Sequence, residues 1–194
     1  MKLKDYDNRD GKKVWLSADE VDGLLSAADS TEQKLALAFG ARCGLRASEA
    51  TAVTPNDVVK TPAGPRVRVW DGKGEKYRET PLPSDLSETI RIYAEMRDAS
   101  PDTPLVDKST RTIERWVSRA AERRQAETGD IGWQYLGPHD LRRSWGTVLV
   151  QADVEPGLIM EWGGWDNWRT FREHYLGAYS VDAERRQLEK VEWL

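Results

Sequence analysis

The chain is poor in the residues that build redox and metal centres. Its 194 residues include one cysteine, Cys43, and two histidines, His139 and His174. One cysteine excludes an internal disulfide and a multi-cysteine metal site, and histidines so far apart in sequence do not suggest a zinc centre. No metal and no other cofactor is therefore expected. No apolar run approaches the roughly 20 residues that cross a bilayer, and Met1-Lys2-Leu3-Lys4-Asp5 lacks the apolar segment of a signal peptide. These absences predict a cytoplasmic protein with no membrane partner. An excess of positive charge is also missing: the formal net charge is −4. That weighs against a nucleic-acid partner, whose usual sign is a basic footprint. Net charge does not say where charges sit, however, and an acidic exterior is compatible with a basic cleft.

What is present suits a polar-surfaced domain with a real core: 39% hydrophobic and 32% charged residues. Residues 1–13 read as a polar tail or linker end. Ser17 and Glu20 form a capping box, followed by Val21, Leu24 and Leu25 at helical spacing. A second helix starts near Ser30-Thr31 and runs to about Cys43, where Gly44 ends it. Arg46-Ala47-Ser48-Glu49-Ala50 begins another at once, so Arg46 sits at a tight junction. Arg66 to Trp70 and Lys76 to Leu82 read as strands, with Asp71-Gly72 turning the chain and Lys73 at the tip between two glycines.

Ser84 is placed to cap a helix carrying Leu86 and Ile90, and the next helix runs from about Ser109. Its exposed stripe, Arg111, Arg115, Arg119 and Arg123, is interleaved with Glu114 and Glu122 and reads as a solvated face. Pro138 opens a helix with His139 and Arg142 on one face and Leu141, Trp145, Val148 and Leu149 on the other. Pro156 opens a short helix through Trp162, and a helix from about Asn167 carries Tyr175. Residues 181–194 read as a last amphipathic helix. The predicted fold is mainly α with a small antiparallel β-sheet (α+β).

Arg46, Lys73, His139, Arg142 and Tyr175 all fall at ends of these elements. Singly each has a bland reading: a capping arginine, a solvated hairpin tip, a surface histidine. Together they match what a protein needs to grip a phosphodiester without a metal. Guanidinium forks bind two phosphate oxygens, stay charged, and stabilise the negative charge that grows on a five-coordinate phosphorus. A tyrosine hydroxyl is a competent nucleophile once its proton is removed and the phosphate is held in line. A lysine on a hairpin tip is a candidate acid for the leaving oxygen.

Gly44-Leu45-Arg46-Ala47-Ser48-Glu49, Gly72-Lys73-Gly74-Glu75-Lys76-Tyr77-Arg78, His139-Asp140-Leu141-Arg142-Arg143-Ser144, Gly164-Trp165 and Tyr175 stand in this order along about residues 14–180. In that pattern the chain resembles the catalytic domain of the tyrosine recombinase (phage integrase) family, of an archaeal or viral-like kind. The resemblance implies a catalytic domain over 14–180 and roles residue by residue. Arg46 and Arg142 would clamp the scissile phosphate. Lys73 would protonate the leaving 5′ oxygen, and His139 would assist proton transfer. Trp165 would donate an indole hydrogen bond where the family more often has histidine. Tyr175 would attack to form a 3′-phosphotyrosyl link, and Glu49 would orient Arg46.

Lys76, Arg78 and Arg143 are the expected DNA contacts. The partner would be double-stranded DNA, on which copies of the chain would assemble as a homo-oligomer, a tetrameric synapse, with residues 181–194 docking on a neighbour. The step from Trp165 to Tyr175 is one residue longer than the family's usual one; Tyr179, past Gly177, is the competing nucleophile. Two other functions fit the same residues: a type IB topoisomerase, which shares the chemistry, and a non-catalytic DNA-binding or regulatory protein on the same fold.

Overall fold

The computed structural model describes residues 1–6, 10–72, 76–174, 185–186 and 188–191. Its centre is helix α2 (Thr31–Cys43). Ser30 caps its start, and nine of its residues, including Leu35, Leu37, Phe39 and Cys43, are buried. Every residue from Leu35 to Ala41 is buried, as suits a helix that runs through the middle of a domain. Helices α1 (Ala18–Ser26), α5 (Thr110–Thr128) and α6 (Pro138–Gln151) pack around it, and α4 (Ser84–Met96) covers a further side. The capping box at Ser17 and Glu20 forms as predicted, and Ser109 caps α5. At α4 the capping position falls on Pro83, with Ser84 already inside the helix.

Helix α2 stops where Gly44 takes a left-handed conformation, φ +68°. A side chain there would be strained, and a Cβ would lie 2.3 Å from Cε3 of Trp145. This turn sends the chain straight into α3 (Ala47–Ala50) with Arg46 as its N-cap residue.

Two hairpin-built sheets flank the helices. Strands β3 (Val58–Thr61), β4 (Gly64–Gly72) and β5 (Lys76–Pro81) pair antiparallel in that order, with Val67 opposite both Val58 and Thr80. The register shifts between Val69 and Gly72. Thr80 Oγ1 donates to the Cys43 carbonyl at 2.7 Å, which ties this sheet to the end of α2. β3 is absent from the sequence reading because Val58-Val59-Lys60-Thr61 is too short to show a period.

The second sheet corrects the reading of residues 1–13 as a tail. β1 (Lys2–Asp5) pairs antiparallel with β2 (Lys12–Trp15). β2 continues into a buried stretch held on α6: the Val14 amide donates to Asp140 Oδ1 at 3.1 Å, and the Leu16 amide donates to Ser144 Oγ at 2.8 Å. β1 is wholly exposed, with Leu3 its single apolar residue, so its pairing partner rather than its own pattern makes it a strand.

After α6 come α7 (Pro156–Gly163) and α8 (Trp168–His174). Trp145, Val150, Ile159 and Phe171 form a second small core there, with Trp162 and Trp165 packed against it. The tryptophan cluster is therefore a packing unit. The helix expected over 181–194 falls largely outside the described residues. Among the described residues no helix is long and apolar enough to cross a membrane.

Candidate active site

Glu49 is the centre of the site. Its side chain is 3% exposed, one turn into α3, and three guanidinium groups surround it. Arg46 Nη1 donates to Oε1 at 2.5 Å, and the Arg46 amide donates to Oε2 at 2.8 Å. Arg78, from β5, donates Nη1 to Oε1 at 3.0 Å and Nη2 to Oε2 at 2.7 Å. Arg142 Nη1 stands 4.0 Å from Oε2. Burial pushes the Glu49 carboxyl up. The hydrogen bonds and charge of Arg78, and then those of Arg46, outweigh burial and hold it down to about 2. A fixed anion thus sets Arg46 and Arg78 in place, with Arg142 at the limit of ion-pair distance, where the resemblance implied such a role toward Arg46 alone.

Arg46 keeps an open side, 26% exposed. It lines a groove of about 760 Å³ together with Arg66, Tyr77, Arg78, Trp162 and Trp165. Glu79, Glu161 and Asp166 share the rim, so the groove is mixed in charge, with guanidinium groups and carboxylates side by side. Arg66 lies over the Trp162 ring, 5.2 Å from its centroid.

Arg142 departs from the sequence reading. It is not on an open face beside His139; its side chain is 1% exposed, whereas His139 is exposed in the first turn of α6. Nη1 donates to the Gly44 carbonyl and Nη2 to the Gly163 carbonyl. The Trp165 ring stacks on the guanidinium, 4.3 Å from centroid to Cζ, and itself packs on Trp145 and Phe171. The left-handed turn at Gly44 therefore supplies an acceptor as well as a helix end. In this structure Trp165 acts on Arg142 by stacking.

Two expected DNA contacts are scaffold residues. Arg143 is 2% exposed, ion-paired with Asp140 one turn back, and lies over the Trp15 ring at 5.5 Å. Arg78 is 7% exposed; besides Glu49 it donates Nε to the Trp162 carbonyl at 2.9 Å. It also packs under Gly164, whose φ is +67° and whose Cβ, if present, would meet Arg78 Cδ at 3.0 Å. Arg78 shares its strand face with Thr80, but the one aromatic of β5, Tyr77, sits on the other face, so the period-two pattern alone turned Arg78 outward. The carbonyl acceptors at Gly44, Trp162 and Gly163 have no side-chain signal and were missed.

Lys73 and Tyr175, and the competitor Tyr179, lie outside the described residues, as does the side chain of Lys76. Cys43 is buried next to the site, and burial pushes its thiol up, so it offers no thiolate nucleophile. Among the described residues no group of three or more His, Cys, Asp or Glu is placed to hold a metal ion.

The sequence model of the phage integrase family matches residues 14–180. A tyrosine recombinase, XerA, of Thermococcus kodakarensis is 31% identical over 159 residues, covering 80% of this chain and 55% of that protein. A tyrosine recombinase of Thermosipho africanus is 27% identical over 164 residues, covering 80% and 54%. The chain thus spans about half the length of the curated relatives it matches. Among solved structures, XerA recombinase superposes with a TM-score of 0.72 at 22% identity, over 92% of this chain and 65% of that one. The catalytic domain of bacteriophage HP1 integrase superposes with a TM-score of 0.61 at 16% identity, over 92% and 96%. These two likenesses show the fold.

Proposed function

From a chain that belongs to the phage integrase family, we propose a site-specific DNA recombinase that cleaves and rejoins strands through a 3′-phosphotyrosyl intermediate. The observation that carries this reading is the Glu49 hub, which holds Arg46 at the wall of an open groove and keeps Arg78 and Arg142 directly behind it. Kinship with curated tyrosine recombinases supports it.

In this scheme a DNA phosphate enters the groove and meets Arg46. The Gly163–Trp165 turn forms one wall; when it shifts, the phosphate takes the place of the Gly163 carbonyl on Arg142 Nη2. Two guanidinium groups then stabilise the charge growing on the phosphoryl oxygens. The Tyr175 oxygen attacks phosphorus as its proton passes to the His139 imidazole, and the bond from phosphorus to the 5′ oxygen breaks. Lys73 gives that oxygen a proton, and His139 assists the transfer. The new ester conserves the phosphate bond, so a second 5′ hydroxyl can reverse the step without a nucleotide, and no step calls for a metal. Copies of the chain assemble on duplex DNA to exchange strands.

The test is a nicked duplex whose cleavage releases a short fragment and traps the enzyme. A denaturation-resistant protein–DNA adduct, lost in Tyr175→Phe, is expected. An adduct that survives there and disappears in Tyr179→Phe overturns the choice of nucleophile. Tight DNA binding without an adduct overturns cleavage and favours a binding module on the same fold.

A further inference from the structure

The outward face of the β3–β4–β5 sheet carries more than a solvated surface needs. Along β4, Val67 and Val69 point inward and are buried, which leaves Arg66, Arg68 and Trp70 outward; β5 buries Arg78 and Thr80 and turns Tyr77 and Glu79 outward. Trp70 is 57% exposed and Tyr77 49%. Their rings meet at 4.9 Å between centroids, tilted by 50°.

The polar atoms of both rings are already engaged. Trp70 Nε1 donates to Asp57 Oδ1 at 2.6 Å, and Tyr77 Oη donates to Glu79 Oε1 at 2.5 Å. Arg68 stands 3.6 Å from the same Glu79 oxygen. The pair is therefore oriented by its tips while its ring surface faces solvent. Such a surface offers stacking rather than hydrogen bonding. The patch is continuous with the groove, because Tyr77 and Arg66 line both. Two arginines beside open aromatic faces suit a polyanion that has π-faces of its own.

We propose that this sheet face receives an unpaired DNA base next to the groove, stacked on Trp70 and Tyr77, with Arg66 and Arg68 on the flanking phosphates. The idea rests on the strand-exchange reading for its purpose: strands can change partners only if bases near the break leave one duplex and join another. Sheet-borne aromatics are an effective way to hold such bases, since every base stacks whatever its sequence.

The full chain is titrated by fluorescence anisotropy, at one fixed salt, with three probes: oligothymidylate, a fully paired duplex, and the same duplex with a short unpaired bulge. Trp70→Ala/Tyr77→Ala is expected to weaken oligothymidylate and the bulged duplex by at least ~10-fold, with little change for the paired duplex. Trp70→Phe/Tyr77→Phe, which keeps two rings, should restore most of that binding. Unchanged binding of both unpaired probes overturns the proposal, as does an equal loss on the paired duplex. Self-association abolished in the alanine variant, with DNA binding intact, assigns the face to a second copy and also overturns it. Adduct formation separates the two readings. An adduct without aromatic-dependent binding sinks the base platform alone; aromatic-dependent binding without an adduct sinks strand cleavage alone.

Discussion

Glu49 grips Arg78 through two parallel hydrogen bonds, 3.0 and 2.7 Å long, with both side chains almost wholly buried. They come from elements 29 residues apart in sequence. The pair joins α3 to β5, and the Trp162 carbonyl on Arg78 Nε brings in α7 as well. A buried pair of this kind contributes little over an apolar substitute, but losing one partner strands the other charge.

Glu49→Ala would leave the buried Arg78 guanidinium without its anion. We expect a loss of about 3–5 kcal/mol of stability, measured by urea denaturation. Glu49→Gln, which still accepts one hydrogen bond, should lose less. A Glu49→Ala protein as stable as the wild type would show that the hub is not what holds these elements.

The same carboxylate sets a pH dependence. Its ordinary value of 4.5 falls to about 2 in the folded chain. The unfolded state therefore binds this proton first as pH drops, and folding is disfavoured by it. The stability it gives is complete above about pH 4.5 and is lost as pH falls toward 2. Wild type and Glu49→Gln should converge in stability across that window and differ above it. Thermal unfolding followed from pH 6 down to pH 2 checks the sign, and a gap that widens with acid contradicts it.

Gly44→Ala meets two penalties: a side chain at φ +68°, and a Cβ 2.3 Å from the Trp145 ring. Backbone strain and overpacking together should cost about 2–4 kcal/mol. The Gly44 carbonyl also holds Arg142, so adduct formation should fall further than stability explains. Calorimetry and the nicked-duplex assay, run on the same preparation, separate the two effects.

Arg46 and Arg143 should part ways in salt. Arg46→Ala removes a groove cation and is expected to lower the slope of log affinity against log salt by about 1. Arg143→Met removes a buried ion pair with Asp140 and should lower stability while leaving that slope alone. A reduced slope in Arg143→Met would return Arg143 to the DNA surface.

Much of this was legible because the signals are local. Ser17 with Glu20, Ser30 and Gly44 act through backbone groups a few residues away, so the start of α1 and both ends of α2 could be read directly; Asp71-Gly72, read as the turn, instead belong to the end of strand β4. Arg46 was legible because its partner Glu49 lies on the next turn. Burial of a charged group depends on its tertiary partner, which lies elsewhere in the chain. Arg143 reads as a surface cation until Trp15 is found over it, and Arg142 as an open clamp until the Gly44 and Gly163 carbonyls close on it. The β1–β2 pairing was missed on other grounds: Lys2–Asp5 carries one apolar residue, Leu3, too little to announce a strand.

The two amide bonds from Val14 and Leu16 to Asp140 and Ser144 span 126 and 128 residues of sequence. Contacts so remote form late, because a long loop must close before they reward it. The helix that carries His139 and Arg142 is thus seated against a segment translated well before it. Until residues 138–151 have been translated, the Val14 and Leu16 amides have no Asp140 or Ser144 to donate to, and β2 has no α6 to seat against.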